Sequence, residues 1–157
     1  MRLRRWLMIV LVGMLLVGIT GFVSPHLRRY ELSRRLDSLV LQATAPGGSG
    51  AVDIGQIDQF GWDRLYVFTP YTPHTTVDEA LGFAWAKVHE LDIERRDDIN
   101  LLVFTQGRSV ASYLELPRNR LDFAHISDDH LFTRLSAQFQ ARTESGSQVL
   151  LLTPVGP

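Results

Sequence analysis

The sequence predicts an α+β protein: an N-terminal transmembrane helix, then an antiparallel sheet of about five strands covered on one face by helix. Three observations predict it. Residues 7–24 contain no charged side chain, and as a helix they would reach about 27 Å, enough to cross a hydrocarbon core of ~30 Å. Further on, apolar residues alternate at the two-residue period of strands, in segments interrupted by Gly, Pro and Ser. Between these segments stands a run with helical period.

The elements follow in order. Residues 1–6 are a basic tail and 7–24 an anchor. A cleaved signal would have a shorter apolar run ending in small residues, whereas this one ends Gly21-Phe22-Val23-Ser24-Pro25. A lipoprotein signal needs a cysteine, and the chain has none. Arg2, Arg4 and Arg5 on one side nearly balance Arg28, Arg29, Arg34 and Arg35 on the other, so the positive-inside count decides little. A short tail before a long apolar run behaves as a signal anchor. The expected location is the cytoplasmic membrane, single-pass, with the globular part outside the cytoplasm.

Residues 25–44 form a basic amphipathic neck helix, opened by the Ser24 cap and Pro25, with Leu32, Leu36, Leu39, Val40 and Ala43 on one stripe. Residues 45–50, Ala-Pro-Gly-Gly-Ser-Gly, read as a hinge, and 51–157 as the globular α+β domain. Within it, 52–57 is a short strand and 64–69 a clearer one, stopped by Pro70 and Pro73. Thr76-Val77-Asp78-Glu79 reads as a capping box for one amphipathic helix carrying Val77, Leu81, Ala84, Trp85, Val88 and Leu91 on a face. Segments 100–105 and 110–116 flank a glycine turn as a hairpin. In the last hairpin Leu131, Thr133, Leu135, Ala137, Phe139 and Ala141 share one face of a single strand, leaving the other face wet.

Charge divides the molecule. Residues 1–35 carry seven Arg against one Glu, a net of +6, and the remainder nine basic against sixteen acidic residues, a net of −7. The collar of Arg28, Arg29, Arg34 and Arg35 suits anionic lipid headgroups, each worth about 1 kcal/mol near the surface. The acidic body speaks against nucleic acid as a partner.

Catalytic patterns are sparse. His125, Asp129 and His130 fall in one short loop and could hold a metal ion or serve as base and orienter, but their spacing matches no established ligand pattern. His89 has Ile93 where a zinc helix would place a second histidine, and His74 directly follows Pro73. No nucleophile elbow or phosphate loop is present, and no cofactor is expected. Trp62 and Tyr71, at the ends of the aromatic strand, with Asp63, Arg118 and Arg120, are the candidate binding residues; pairing of the arginines with Asp63 or Asp122 is the competing reading.

The segments Gly61-Trp62-Asp63-Arg64-Leu65-Tyr66-Val67-Phe68-Thr69-Pro70-Tyr71-Thr72, Asn100-Leu101-Leu102-Val103-Phe104, Leu116-Pro117-Arg118 and Asp122-Phe123 resemble a group of small bacterial envelope proteins. These carry a Trp-Asp-x-x-Tyr-x-Phe-x-Pro-Tyr-Thr core behind a lipoprotein signal or membrane anchor. The likeness covers about residues 58–140 and implies an envelope location and one folded unit, not an activity. This chain departs from the lipoprotein members in lacking the lipidated cysteine.

The expected function is therefore non-catalytic: a membrane-anchored envelope domain binding a protein partner in an inhibitory, immunity or accessory role. An envelope hydrolase or metal-dependent enzyme using the His125–Asp129–His130 loop is the alternative. Orientation is tested by C-terminal fusions: a reporter active only outside the cytoplasm should be active and a cytoplasmic one silent. The opposite result overturns the assignment.

Overall fold

The computed structural model of the chain describes residues 25–123, 126, 131–143 and 149–155. It begins with helix α1 (Pro25–Thr44), followed by strand β1 (Ala51–Asp53) and a 3-10 turn (Ile54–Gln56). Strand β2 (Arg64–Phe68), helices α2 (His74–Leu81) and α3 (Val88–Leu91) and a second 3-10 turn (Ile93–Arg95) come next. Strands β3 (Ile99–Gln106), β4 (Ser109–Pro117), β5 (Leu121–Asp122), β6 (Leu131–Thr133), β7 (Gln138–Thr143) and β8 (Leu150–Pro154) complete it.

The protein is α+β, but its strands form two four-stranded sheets instead of one of about five. One sheet has the order β4-β3-β2-β6 and the other β1-β7-β8-β5. All pairs are antiparallel except β5 with β8. The division occurs inside the segment expected to be one strand, 131–142. Thr133 and Ser136 bond each other there, Thr133 N–H donating to Ser136 Oγ at 2.8 Å and Ala137 N–H to the Thr133 carbonyl at 2.9 Å. This turn reverses the phase of the side chains. Phe132 is buried before it, Ala137 and Phe139 after it, while Leu131 and Leu135 point to solvent. The chain leaves the first sheet at Thr133 and enters the second at Gln138.

The central strands of the first sheet are dry on both faces, as the nearly uninterrupted burial of β2 and β3 shows. Leu65, Val67, Leu102 and Phe104 join a core shared with α1 and the second sheet. Tyr66, Phe68, Leu101 and Val103 face the opposite way and pack with Val77 and Leu81 of α2, Val88 and Leu91 of α3, and Ile93. Cover by helix on one face alone is thus corrected: α2 and α3 close one face, α1 and the second sheet the other. The second sheet keeps a partly exposed face, visible in β7.

Helix α1 belongs to this core. Leu32, Leu36, Leu39, Val40 and Ala43 are all buried in the cluster shared by both sheets. The glycine-rich segment then turns the chain into β1, with Gly50 N–H on the Ala43 carbonyl at 2.9 Å and Ala141 N–H on the Gly50 carbonyl at 2.8 Å. Gly48 packs so close that a Cβ would lie 2.3 Å from the Ala43 carbonyl oxygen.

The single helix expected after Thr76 is broken. α2 stops at Gly82, whose left-handed φ of 75° suits glycine, and α3 begins at Val88. Asp78 contributes to the break, because its Oδ1 accepts the Trp85 N–H at 2.8 Å and gives that amide a partner outside any helix. The helix also opens without a side-chain cap, at Pro73, not through Thr76.

Among the described residues no helix is long and apolar enough to cross a membrane; the apolar run 7–24 lies outside them.

Docking of α1 predicts a specific cost. Leu36→Ala should lower the stability of the full chain by about 2–4 kcal/mol in urea unfolding, the usual range for truncating a buried leucine. A loss below about 0.5 kcal/mol, typical of surface positions, would show that α1 does not share the core.

Candidate functional site

The break at Gly82 places Trp85 and Lys87 beside the edge strand β4, opposite the first turns of α1. Between them lies an open recess of about 500 Å³ lined by Arg28, Arg29, Trp85, Lys87, Ser112 and Tyr113, with Val110 and Ala111. Its centre is a stack. Arg29 donates from Nη1 to the Tyr113 hydroxyl at 2.6 Å, and its guanidinium carbon lies 4.8 Å from the Tyr113 ring centre. Trp85 meets the Tyr113 ring edge-on, with centroids 5.3 Å apart. A cation over an aromatic face contributes about 0.5–2 kcal/mol according to its desolvation, so the stack presents a positive group in a fixed position.

Lys87 pairs with Glu90 one turn on, and that hydrogen bond holds its ammonium above the ordinary lysine value. Ser112 is buried in the recess wall and its Oγ has no hydrogen-bond partner. The recess therefore gathers three basic side chains, of which Lys87 is paired with Glu90 and Arg29 with Tyr113, and two aromatic rings. That set suits an anionic group carried on an apolar stem.

The candidate binding residues do not converge. Trp62 is a core residue, only 4% exposed, and corrects the expectation of a surface aromatic. It is drawn inward because its Nε1–H reaches the Ile57 carbonyl at 2.7 Å while its ring meets Phe104 edge-on and is covered by Arg134 at 5.1 Å. Asp63 caps the β3–β4 turn, its Oδ2 accepting the Gly107 N–H at 2.9 Å. Tyr71 lies at the opposite end of β2. It is 60% exposed and holds a positive φ of 63°, kept there by hydrogen bonds of its N–H to the Ile93 and Arg96 carbonyls.

Both arginines are engaged internally. Arg120 donates to Asp37 of α1 at 2.7 Å. Arg118 grips Asp122 with Nε at 3.0 Å and Nη2 at 2.8 Å, and donates from Nη1 to the Asp97 carbonyl at 2.9 Å. Asn100 Nδ2 adds a third donor to Asp122 at 3.1 Å. Burial pushes the Asp122 carboxyl up, but the bonds from Arg118 and Asn100 outweigh it, and its pKa lies below the ordinary value. Of the collar, Arg28 and Arg29 face the recess, whereas Arg34 is exposed elsewhere on α1, beside Tyr30.

His125, Asp129 and His130 lie outside the described residues. Two other histidines, unremarkable singly in the sequence, are brought together: His74 and His89, with Nδ1 atoms 3.1 Å apart. Sequence reasoning also missed Trp85, Lys87, Ser112 and Tyr113. The one signal for them was a glycine inside a helical pattern, which marks a possible stop. No protein-family model, no curated protein and no solved structure matches the chain.

The Arg118–Asp122 pair makes a prediction with a definite pH sense. A carboxyl whose pKa is lower folded than unfolded contributes stability above its unfolded value, near ~4, and loses it as pH falls toward the folded one. Arg118→Gln should therefore cost about 1–3 kcal/mol at pH 7, where a charged acceptor loses its donors, and less at pH 3. Urea unfolding at both values measures this; an equal penalty at both would show that the pair does not carry the effect.

Proposed function

We propose that the chain is a non-catalytic, single-pass membrane-anchored domain of the bacterial envelope that binds a protein partner in an inhibitory, immunity or accessory role. Residues 7–24 form the anchor, the folded part stands outside the cytoplasm, and the likeness of the 61–72 segment to small envelope proteins belongs to the same reading. The observation that carries it is the recess. Arg, Trp and Tyr are the residue types that dominate binding hot spots, and here Arg28, Arg29, Trp85 and Tyr113 line one concavity.

Position adds support. Arg28 follows the apolar run by four residues, about 6 Å along a helix, so the recess opens close to the headgroups. Leu27 and Tyr30 are exposed on the same turns, at 49% and 60%. An exposed tyrosine beside a span suits the interfacial belt, and Arg34 and Arg35 suit the anionic headgroups. The partner contact is an acidic side chain: its carboxylate meets Arg28 and Arg29 while its stem lies on Trp85 and Tyr113.

Site-specific photo-crosslinking of the full chain in its own membrane tests the reading. A photoreactive residue at Ala111, in the recess, should give an adduct with one envelope protein, and Arg28→Glu should weaken capture about 30-fold, a hot-spot loss of roughly 2 kcal/mol. The same probe at Leu135, 89% exposed and away from the recess, should give none. No adduct from Ala111, or the same adduct from Leu135, overturns the proposal.

A further inference from the structure

His74 is the first residue of α2, and His89 lies in α3 across the break at Gly82. Their Nδ1 atoms are 3.1 Å apart, their ring centres 4.7 Å apart, and their planes 79° to each other. Glu94 Oε2 stands 3.4 Å from the same His74 Nδ1 and accepts the His74 backbone N–H at 3.3 Å.

The ring geometry is informative. An in-line N–H···N bond of this length would hold the ring centres more than about 5 Å apart. They are nearer, so the contact is bent and the two ring nitrogens do not both point along the line joining them. Two nitrogens bound to one zinc-sized ion at about 2.0–2.1 Å stand roughly 3–3.4 Å apart. The observed separation falls in that range.

The surroundings favour a cation there. The His74 side chain is only 18% exposed, and its Nε2 is buried with no hydrogen-bond partner, so the Nδ1 edge is the one through which this ring can find a strong contact. One proton shared between the rings makes a bent hydrogen bond, whereas an ion bound by both nitrogens would accept both lone pairs. Glu94 supplies negative charge alongside. Among the described residues no three such side chains are already disposed around one ion, which leaves two imidazoles as the protein ligands and the remaining positions open to water.

We propose that His74 and His89 form a two-imidazole site for one divalent transition-metal ion of the zinc, nickel or copper class. Imidazole suits these ions, whereas calcium and magnesium take oxygen ligands. The ion joins the start of α2 to α3 across Gly82. The site is separate from the recess, and its existence does not depend on partner binding.

The test uses the full chain in detergent micelles, freed of metal by chelator and titrated with zinc by calorimetry, with calcium as control. One zinc per chain is expected, saturating at micromolar concentration, with no calcium uptake. His89→Asn, at an exposed position, and His74→Asn should each weaken zinc binding at least tenfold; Glu94→Gln should weaken it about threefold, through loss of the neighbouring negative charge. The double variant His125→Asn, His130→Asn should bind as the natural chain does. Zinc should raise the melting temperature, and His89→Asn should abolish that rise while leaving the metal-free melting temperature unchanged. No uptake at millimolar zinc overturns the proposal. So does uptake that survives His74→Asn and His89→Asn, or uptake lost with His125 and His130.

Discussion

The central pair β2–β3 buries side chains on both faces, and the rest of the architecture keeps both faces dry. Alternation along β2 sends Leu65 and Val67 one way, Tyr66 and Phe68 the other. A strand in that position cannot be served by one covering layer. On one side α1 and the second sheet supply Leu36, Val52 and Phe139; on the other α2, α3 and the 3-10 turn supply Val77, Leu91 and Ile93. Buried apolar area contributes about 25 cal/mol per Å², so loss of either cover would expose a whole sheet face. Helix α1 is thereby committed to the domain, and its first turns are held at the edge of β4.

That commitment creates the recess. α1 brings Arg28 and Arg29 to one side of β4, while the turn after Gly82 brings Trp85 and Lys87 to the other. A helix running unbroken from His74 to Leu91 would direct Trp85 along the same stripe as Val77 and Leu81, into the core. The break sets it against Tyr113 at the margin of that core. Asp78 fixes this arrangement by accepting the Trp85 amide, so one carboxylate of α2 holds an aromatic where it both packs on the core and lines the recess.

Much of the fold was legible in the sequence and less of the site. Apolar runs rich in β-branched and aromatic residues, bounded by proline or by a glycine turn, located β2, β3 and β4, and the 3.6 period picked out the buried stripe of α1, because burial on one side leaves a repeat that composition cannot hide. The failures share a cause. At 133–136 a pair of hydroxyl residues closed a local turn, and at 78–85 a carboxylate captured a backbone amide. In both, a short-range side-chain bond competed with the regular ladder, and the repeat on either side ran through the break undisturbed. Trp62 was misplaced because a strand end reads as exposed from the sequence, whereas Ile57, Phe104 and Arg134, distant along the chain, enclose it. Arg118 and Asp122, four residues apart, were visible as possible partners; Asn100, the third member, was not.

The same break sets the relation between the two proposed sites. Trp85 and Lys87 lie on the stretch of chain between His74 and His89, so an ion held by the two histidines would close a loop containing them. A link across the break adds a constraint to the segment that shapes the recess, where the Trp85 amide is already bonded to Asp78. Binding to an ordered recess costs less entropy than binding to one that must be ordered on contact. A metal ion at His74 and His89 would thus act on the recess through the backbone turn at Gly82, with neither histidine touching the partner. The left-handed glycine joins the two sites: it ends α2 where Asp78 can take the Trp85 amide, and it folds α3 back so that His89 reaches the beginning of α2.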